Sequence, residues 1–485
     1  MQYDFNNNNN FMIKRNFILI CVVLLLVSCE EIELPNLGSG NNTDNNEYVN
    51  LWIYDEMKSI YLWNTNISSR PNYELKPESF FKSLLISGDR FSWIQEDYVD
   101  LIKPSGKATL HNASTGGITL NDIGFEYVGY SDRGVILAQI AYVKPGTHAE
   151  EIGLKRGDIF TRVNGVTLNS TNWRTLLSGS ETSATITFLD TNTGRTTDKR
   201  VNKTARYAEN PVFLDKVYEI NGHKIGYLVY NFFEQGPTQE SYIYDKDLNN
   251  AFGRFKNEGI SELVLDLRYN SGGSMNSALL LGSMIVPNLN TNNVFIKLEY
   301  NSSHQAELIK KHGADALLYK FRNRLYSGET INNAGNTIQR LYVLTGTWTA
   351  SASELIINSL KPYMPDKIFL IGQTTVGKTV GSVWRYKEND SKNKWGIAPV
   401  AFHYFNSEGK ADFSNGFAPN IKEEDNRSDK LPLGDPNEQM LKIAIDHITG
   451  NDVKSTSSRS GVSEMISIGS SVEQKPWAGK TIIYD

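Results

Sequence analysis

The sequence has very little cysteine. Among its 485 residues only Cys21 and Cys29 are cysteines, and both lie near the N-terminus. The rest of the chain therefore offers no intramolecular disulfide and no thiolate metal site. The seven histidines are scattered and include no His-x-x-x-His pair, the pattern of helical zinc peptidases. We expect no metal ion and no other cofactor.

An excess of charge of one sign is also missing. The chain has 49 basic and 54 acidic residues, which gives a net charge of −5. A nucleic-acid surface needs a clustered basic excess, so we expect no nucleic-acid partner. Apolar residues make up 40% and charged residues 21% of the chain, as in ordinary globular proteins. The length allows about three domains of ~150 residues each.

The apolar run near the N-terminus is too short to cross a membrane. It extends from Phe17 to Val27, about eleven residues against the ~20 that span a bilayer. Lys14 and Arg15 precede this run, and Leu26-Val27-Ser28-Cys29 ends it. This order of basic flank, short apolar core and small residues is typical of a signal peptide, and its end resembles a bacterial lipobox.

Cys29 would then be acylated and become the mature N-terminus. The signal peptide occupies residues 1–28, and the acidic, Asn/Gly-rich residues 29–47 predict a flexible tether. We therefore expect a lipid anchor in the membrane and a place in the cell envelope, as an outer-membrane lipoprotein that faces the periplasm or the cell surface. The alternative is that Cys29 is an ordinary free thiol.

Four further regions follow the tether. Residues 48–113 place apolar side chains at helical spacing and predict a small helical unit. Residues 114–203 predict strands and turns, among them a hairpin at Asn164-Gly165. Residues 204–450 alternate strands with helices, which indicates an α/β core. The Ser-rich residues 451–485 predict a flexible tail.

The strand-rich region carries a pattern that resembles a bacterial PDZ domain. The pattern is Ala-x-x-x-Gly-Leu-x-x-Gly-Asp at 149–158, followed by Val-Asn-Gly at 163–165. PDZ domains bind extended C-terminal peptides as an added strand at a sheet edge. The resemblance implies that backbone N–H groups of Ile123, Gly124 and Phe125 hold the terminal carboxylate. The alternative is a small β-domain whose glycines only form turns.

Residues 372–379, Gly-Gln-Thr-Thr-Val-Gly-Lys-Thr, match the phosphate-loop pattern letter for letter. A phosphate loop must open a helix, because the helix N-terminus holds the anion. Here the β-branched and aromatic run from Val380 to Tyr386 predicts a strand instead. The export signal also removes the chain from cytoplasmic ATP. We therefore expect no nucleotide partner.

A different chemistry is indicated by Ser351 and Lys378. Ser351 lies between a strand predicted over 341–345 and a helix predicted over 351–360, so backbone N–H groups at the helix start are available to stabilise an oxyanion. Ser351-x-x-Glu354 is also a capping box, which is the purely structural alternative. Lys378 follows after one further strand, which can return the chain to the same end of the sheet.

Together these residues resemble the carboxy-terminal processing, or tail-specific, serine peptidases. Residues 349–354, Thr-Ala-Ser-Ala-Ser-Glu, are similar to the family motif whose middle serine is the nucleophile. Residues 375–378, Thr-Val-Gly-Lys, are similar to the motif whose lysine is the general base. Residues 266–273 resemble the family's glycine-rich oxyanion loop, and residues 415–419 and 89–93 resemble two further family segments.

The resemblance covers roughly residues 85–450 and implies the fold as well as the site. The fold class is α/β: a ClpP/crotonase-like α/β peptidase core, a mainly β PDZ domain and a small N-terminal helical unit. The implied oxyanion hole consists of Gly272, Gly273 and Ala352. Many members carry glutamine four residues after the lysine, where this chain has Ser382. A Ser351/Lys378 dyad is therefore expected without a defined third residue.

Lysine can act as a general base only when it is neutral. Its pKa must fall from ~10.4, and burial among apolar side chains lowers it. Val376, Val380 and Trp384 are the candidates for that apolar wall. A Ser-His-Asp triad with His403 or His223 as the base is the catalytic alternative.

The sequence thus predicts a serine endopeptidase that hydrolyses peptide bonds of exported proteins or peptides and recognises their C-termini through the PDZ domain. Two other functions stay open. One is a catalytically inactive PDZ lipoprotein that binds protein tails. The other is a surface lipoprotein that binds a small apolar ligand in a peptidase-like fold.

The lipobox leads to a testable prediction. Cys29→Ser removes the thiol that would receive the lipid, so we expect the variant to be a soluble or uncleaved precursor. Incorporation of labelled fatty acid measures this, with Cys21→Ser as the matched control that stays lipidated. Label on the Cys29→Ser protein would contradict the lipobox.

Overall fold

The computed structural model describes residues 42–96, 114–115, 118–132, 134–238, 241–387, 390–452, 465–475, 478 and 481–483. The predicted signal peptide and Cys29 lie outside the described residues. The α-helices, in chain order, are α1 (Asn42–Ile60), α2 (Pro77–Leu84), α3 (His148–Glu151), α4 (Ile243–Glu258), α5 (Met275–Ile285), α6 (Ser302–His312), α7 (Ala352–Leu360) and α8 (Gln439–Thr449). None of these helices is long and apolar enough to span a bilayer.

The strands are numbered in chain order as well. They are β1 (Trp93–Gln95), β2 (Ser114–Thr115), β3 (Ile118–Asp122), β4 (Phe125–Asp132), β5 (Val135–Val143), β6 (Ile159–Val163), β7 (Val166–Thr167), β8 (Ser183–Leu189), β9 (Thr196–Asn202), β10 (Thr204–Ala208), β11 (Val212–Ile220), β12 (His223–Tyr230), β13 (Glu262–Asp266), β14 (Gly273–Ser274), β15 (Val294–Tyr300), β16 (Leu318–Lys320), β17 (Arg340–Thr345), β18 (Ile368–Gly372), β19 (Val380–Val383), β20 (Arg385–Tyr386), β21 (Gly396–Ala398), β22 (Val400–Phe405), β23 (Ile421–Lys422), β24 (Ile466–Ser470) and β25 (Thr481–Ile483). Short 3-10 turns lie at Asn64–Asn66, Ala314–Leu317 and Ser471–Gln474.

A six-stranded sheet in the order β11-β12-β13-β17-β18-β23 forms the centre of the molecule. Strands β12, β13, β17 and β18 run parallel. All of β13 is buried, as expected for a parallel strand covered on both faces. Helix α7 is buried along its whole length. The predicted α/β core is therefore confirmed, and the loops after β13, β17 and β18 leave the sheet at one edge, where such sheets bind ligands.

A second sheet and the N-terminal helices complete the core. The second sheet has the order β14-β25-β19-β22-β15-β16. The predicted N-terminal helical region is confirmed, and α1 buries Val49, Ile53 and Met57 along one face. This helix already begins at Asn42, within the predicted tether 29–47. Strand β1 pairs with β21, which joins the helical unit to the core.

The strand-rich region forms a third unit. Its main sheet has the order β24-β4-β5-β6-β8-β9, with β7 paired to β6, and β10, β3 and β2 form a small sheet beside it. Val128, Tyr130 and Tyr142 of this unit share an apolar cluster with Met440 and Leu441 of α8. The unit therefore packs on the face of the central sheet that α8 covers.

The prediction of a flexible tail over 451–485 is wrong for residues 465–475 and 481–483. Strand β24 pairs with β4, and β25 pairs with β14 and β19. Met465 and Val472 are buried against the central sheet's α8 face. Serine-rich composition misled the prediction, because the sheet edges that order these residues lie hundreds of positions earlier in the chain.

A buried ionic network joins the strand-rich unit to the central sheet. Arg268 follows β13 and contacts Glu438 at 2.6 Å and Asp266 at 2.9 Å. Arg156, from the PDZ-like pattern, contacts Asp425 at 2.7 Å and Glu438 at 3.2 Å. Both arginines are almost wholly buried, and the Asp266 and Glu438 carboxylates depend on them for neutralisation, whereas Asp425 also contacts Lys430 at 3.3 Å.

This network predicts a large stability effect at one arginine. Arg268→Met leaves the buried Asp266 carboxylate without its cation and Glu438 with Arg156 alone, which costs about 3–5 kcal/mol of unfolding free energy. Arg254→Ala is the control, because the Arg254–Asp215 pair is 55% exposed on the arginine side and such pairs contribute about 1 kcal/mol or less. Urea unfolding compares the two variants. Equal midpoints would contradict a dependence of the fold on the network.

Candidate active site

Ser351 lies in the turn between β17 and α7, fully buried. Its backbone has φ +61° and ψ −115°, which places a non-glycine residue in the left-handed half of conformational space. Such conformations cost roughly 1–3 kcal/mol and persist only where the surrounding structure holds them. The turn thus holds Ser351 in a strained backbone conformation at the carboxyl end of β17.

Lys378 comes from the loop between β18 and β19. The loop reaches the serine turn directly, because the Val376 N–H donates to the Thr349 carbonyl at 3.0 Å. Gly377 has φ +88°, and a Cβ there would lie 2.4 Å from the Ser414 carbonyl oxygen. Only glycine fits this approach. Lys378 leads into strand β19, as predicted from Val380 to Tyr386, and no helix follows to hold a phosphate.

The carboxylate of Glu354 holds these two loops together. One oxygen, Oε2, accepts hydrogen bonds from the backbone N–H of Ser351 and of Lys378, each at 2.9 Å. The other, Oε1, accepts from the Gly377 N–H and the Thr375 hydroxyl, each at 2.6 Å. Sequence reasoning treated Glu354 as a helix cap only. Its bonds to a loop more than twenty residues later were not visible in the local pattern.

Burial controls the ionisation of both charged groups. Burial raises the pKa of Glu354, while its hydrogen bonds to Thr375, Gly377, Lys378 and Ser351 act in the opposite direction. Burial lowers the pKa of Lys378 to about 7, against the opposing effects of Glu354 and Asp89. A lysine with this pKa is about half neutral at pH 7, as a general base requires.

Residues 89–93 cover Lys378. The Lys378 ammonium lies 5.2 Å from the centre of the Phe91 ring. The Asp89 carboxylate fixes this segment by accepting from the N–H groups of Phe91 and Ser92, both at 2.9 Å. The Tyr61 hydroxyl also donates to Asp89, at 2.9 Å. The segment therefore supplies part of the apolar wall over the lysine.

The structure adds Phe91 to the predicted wall of Val376, Val380 and Trp384. Phe91 was not among the predicted wall residues. Val380 is buried in the cluster formed with the N-terminal helices, and Trp384 packs edge-on against Trp93 with ring centres 4.0 Å apart. The contact from residues 89–93 comes from a part of the chain almost 300 positions away, which spacing around the lysine does not indicate.

The predicted oxyanion residues lie in the loop after β13 and at the start of α7. The Gly272 N–H donates to the Asn270 side-chain oxygen at 2.9 Å, so it is engaged within the loop. Gly273 approaches Phe233 so closely that a Cβ would lie 2.1 Å from the Phe233 carbonyl oxygen. Ala352 opens α7. Gly273 and Ala352 stay predictions for the oxyanion hole, and Gly272 shapes the loop.

Asn270 connects this loop to the serine turn. Its backbone carbonyl accepts from the hydroxyl of Ser353, in the first turn of α7, at 3.1 Å. Its side-chain NH2 donates to the Tyr230 carbonyl at 2.8 Å, at the end of β12. The glycine loop is thus held against the serine turn by the side chain and the backbone of one residue. Sequence reasoning did not single out this asparagine.

The alternative bases are placed differently. His223 begins β12 and lies 3.9 Å from Glu262, at the opposite edge of the parallel sheet from Ser351. His403 lies in β22, with its ring edge-on to Trp63 at 6.2 Å. Ser382 is buried in β19, and among the described residues no hydrogen-bond partner is found for its hydroxyl. The Glu354 hydrogen bonds connect Ser351 with Lys378 and with neither histidine.

The predicted peptide-binding residues Ile123, Gly124 and Phe125 lie where β3 turns into β4. The Gly124 N–H donates to the Asp122 carboxylate at 2.7 Å, so in this structure it is engaged by an anion of the chain itself. A Cβ on Gly124 would lie 2.6 Å from the Thr147 hydroxyl oxygen. The three residues stay a predicted carboxylate site, and packing against Thr147 requires glycine at position 124.

Comparison with known proteins adds independent findings. The family model "Peptidase family S41" matches residues 224–423, and the model "Peptidase S41 N-terminal domain" matches residues 48–93. The chain is similar to a carboxyl-terminal-processing protease of Picosynechococcus, with 25% identity over 60% of this chain and 62% of the relative. It is also similar to the carboxy-terminal processing protease CtpA of Bacillus subtilis, with 25% identity over 61% of this chain and 56% of the relative. The chain thus spans less than two thirds of either relative.

A solved structure extends the likeness to the fold. The crystal structure of a protein described as an S41 protease from Bacteroides fragilis superposes with a TM-score of 0.64 and 29% identity. The match covers 86% of this chain and 99% of that one. Both matched family segments contain site residues found above: Phe91 lies in the first, and Ser351, Glu354 and Lys378 lie in the second. The chain belongs to peptidase family S41, a family of serine peptidases.

Proposed function

We propose that this protein hydrolyses peptide bonds with Ser351 as the nucleophile and Lys378 as the general base. The observation that carries the proposal is the shared Glu354 oxygen, which accepts from the N–H groups of both residues. A structural helix cap would need only the first of these bonds. Substrates are proteins or peptides, in line with the activity of the serine peptidases that the chain resembles.

The reaction follows from the ionisation of Lys378. The neutral amine takes the proton of the Ser351 hydroxyl while its oxygen attacks the substrate carbonyl carbon. Backbone N–H groups at Gly273 and Ala352 receive the negative charge on the carbonyl oxygen. The Lys378 ammonium then returns the proton to the leaving nitrogen as the C–N bond breaks. A water molecule cleaves the acyl-enzyme ester by the same route, with Lys378 as base and then acid.

Glu354 is a positioning residue in this scheme. Its carboxylate accepts from three backbone N–H groups and one hydroxyl. Its negative charge also raises the pKa of Lys378 and so opposes the effect of burial. The carboxylate therefore affects the geometry of the dyad and the pH range in which it works.

The proposal also includes the strand-rich unit, the central sheet and Cys29. The strand-rich unit is a PDZ domain, supported by the pattern at 149–165 and by an edge strand, β4, that already accepts an added strand. The central sheet and its helices form a ClpP/crotonase-like core. A lipid on Cys29 holds the protein in the cell envelope, so that exported proteins or peptides are its substrates.

The dyad predicts loss of activity in two variants. Ser351→Ala and Lys378→Ala each remove one reacting group, so hydrolysis of a peptide substrate should fall by at least about 10³-fold while the protein stays folded. A fluorophosphonate probe should label the wild type and not Ser351→Ala. His403→Ala is the control and should keep activity. Full activity in either dyad variant would overturn the assignment, and a wild type without labelling would favour an inactive binding module.

The pKa of Lys378 predicts the pH dependence of the rate. Only the neutral amine is active, so kcat/KM should rise with pH through about 7, from roughly 10% of its plateau at pH 6 to roughly 90% at pH 8. The plateau above pH 8 should persist, since no second ionisation is needed. A rate that falls through pH 7 as pH rises would contradict a lysine base.

Glu354→Gln tests the positioning role. The amide lacks the negative charge that raises the pKa of Lys378, so the rise in the pH–rate profile should move to lower pH. Its NH2 group also cannot accept from N–H donors, and the resulting misplacement should lower kcat by about 10²-fold. Glu408→Gln, at an exposed carboxylate, is the control. A lowered kcat with an unmoved pH profile would assign Glu354 a structural role only.

A further inference from the structure

A late segment of the chain occupies the edge of the strand-rich sheet. Strand β24 runs antiparallel to β4, with Ser467 opposite Tyr130 and Ser470 opposite Val128. Side chains extend the pairing: the Ser470 hydroxyl donates to the Tyr127 carbonyl at 3.2 Å. Adding an extended segment to an exposed sheet edge is a common way of recognising a peptide. The segment 466–475 thus has the contacts of a ligand, although it is part of the same chain.

The segment ends at a buried cluster of carboxylates. Asp122, Glu126 and Glu209 are each at most 4% exposed and surround the Lys144 ammonium at 2.6, 2.7 and 3.3 Å. One ammonium cannot neutralise three carboxylates. Lys475 brings a second ammonium, 2.5 Å from Glu126 and 3.4 Å from Glu209. Buried carboxylates are costly without cations, so this cluster favours a basic side chain at that place.

The same cluster disfavours a terminal carboxylate. Such a group would bring a further negative charge beside Asp122 and Glu126, and the Gly124 N–H already donates to Asp122. The Ser471 hydroxyl, which is internal to the segment, donates to Glu126 and accepts from the Tyr127 N–H at 2.9 Å. The recognised features are therefore a strand, a hydroxyl and a cation, all available within an internal stretch of polypeptide.

The chain then continues to the catalytic edge. Strand β25 lies between β14 and β19, with Thr481 opposite Gly273 and Ile482 opposite both Ser274 and Ser382. Gly273 belongs to the candidate oxyanion loop, and β19 begins two residues after Lys378. A strand in this position pairs with backbone segments that border the dyad. Residues 466–475 therefore cover the edge of the strand-rich sheet, and residues 481–483 occupy a strand position beside the candidate active site.

We propose that the β4 edge and the Asp122/Glu126/Glu209 cluster form a binding site for an extended, internal polypeptide segment carrying a lysine or arginine. Residues 466–475 are its resident ligand, and a substrate segment of the same chemistry must displace them. The catalytic consequence, that displacement frees the active-site edge, rests on the proposed peptidase function. The binding of the segment does not depend on the peptidase function.

Binding is tested in a Ser351→Ala background, so that no peptide is cleaved. The probe is a fluorescent synthetic peptide with the sequence of residues 465–475. Lys475→Glu in the protein removes the charge-assisted bonds of the resident segment to Glu126 and Glu209, so this segment should leave the site. The vacated site should then bind the probe about ten- to hundredfold more tightly. Lys475→Arg should behave as the parent protein. Lys442→Glu, at a half-exposed lysine on α8, is the matched control and should leave affinity unchanged.

A second variant releases the strand without changing the carboxylate cluster. Gly469 has φ +135°, a backbone conformation that residues with a Cβ rarely adopt, so Gly469→Val should also expose the edge. Affinity increased in Lys475→Glu or in Gly469→Val supports the proposal. If both variants fold and neither binds the probe more tightly than the parent, the proposal is overturned.

The probe itself distinguishes a basic side chain from a terminal carboxylate. Replacing the probe's lysine by glutamate should abolish the gain in affinity, whereas amidating its C-terminus should leave it unchanged. The reverse pattern would overturn the proposal in favour of a carboxylate site. In the Ser351-containing enzyme, Lys475→Glu should also increase kcat/KM for a peptide substrate. Inactivity of both the wild type and Lys475→Glu, with intact probe binding, would contradict the peptidase function and leave this binding site standing.

Discussion

The active site depends on one buried carboxylate that needs hydrogen-bond donors. Glu354 lies on the first turn of α7, where water cannot reach it. A buried carboxylate without donors is costly, and four donors reach this one from two separate loops. The loop that carries Lys378 cannot move away without breaking three of these bonds. The need to satisfy one charge therefore sets the distance between the base and the nucleophile's turn.

The same bonds help to hold a strained backbone in place. Ser351 adopts a positive φ that serine avoids in isolation, and its N–H is held by Glu354. The glycine at 377 lets the second loop approach the chain at Ser414. Phe417 fixes the Thr375 side chain, which bonds to Glu354, because the Phe417 N–H donates to the Thr375 hydroxyl at 2.8 Å. These contacts give residues 415–419, which sequence comparison marks only as a family segment, a structural role.

The N-terminal unit contributes to the candidate active site. Phe91 lies over the Lys378 ammonium, and Asp89, which fixes that segment, opposes the effect of burial on the lysine pKa. Burial lowers the pKa of Lys378 and the carboxylates of Glu354 and Asp89 raise it, and the resulting pKa is about 7. On the other side, Arg268 belongs to the same loop as Gly272 and Gly273 and lies in the ionic network with Arg156 of the strand-rich unit. The catalytic loops are thus packed between the two flanking units.

The sequence by itself determined the local elements and indicated Ser351 and Lys378 as the candidate reacting residues. The alternation of strands and helices after residue 204, the helix that starts beside Ser351 and the strand after Lys378 follow from hydrophobic period and from β-branched composition. These signals are local, because each depends on neighbours within a few turns. The motifs around Ser351 and Lys378 were sufficient to predict the chemistry and to reject a phosphate loop.

Tertiary structure alone decided what surrounds those residues. Glu354 as the link between loops and Phe91 as the cover of Lys378 both join residues that lie far apart in the chain. Residues 466–475 were predicted to be flexible because serine-rich sequence has few apolar contacts of its own. They are ordered by a free sheet edge and by three carboxylates that need a second cation, and both exist only after the rest of the chain has folded.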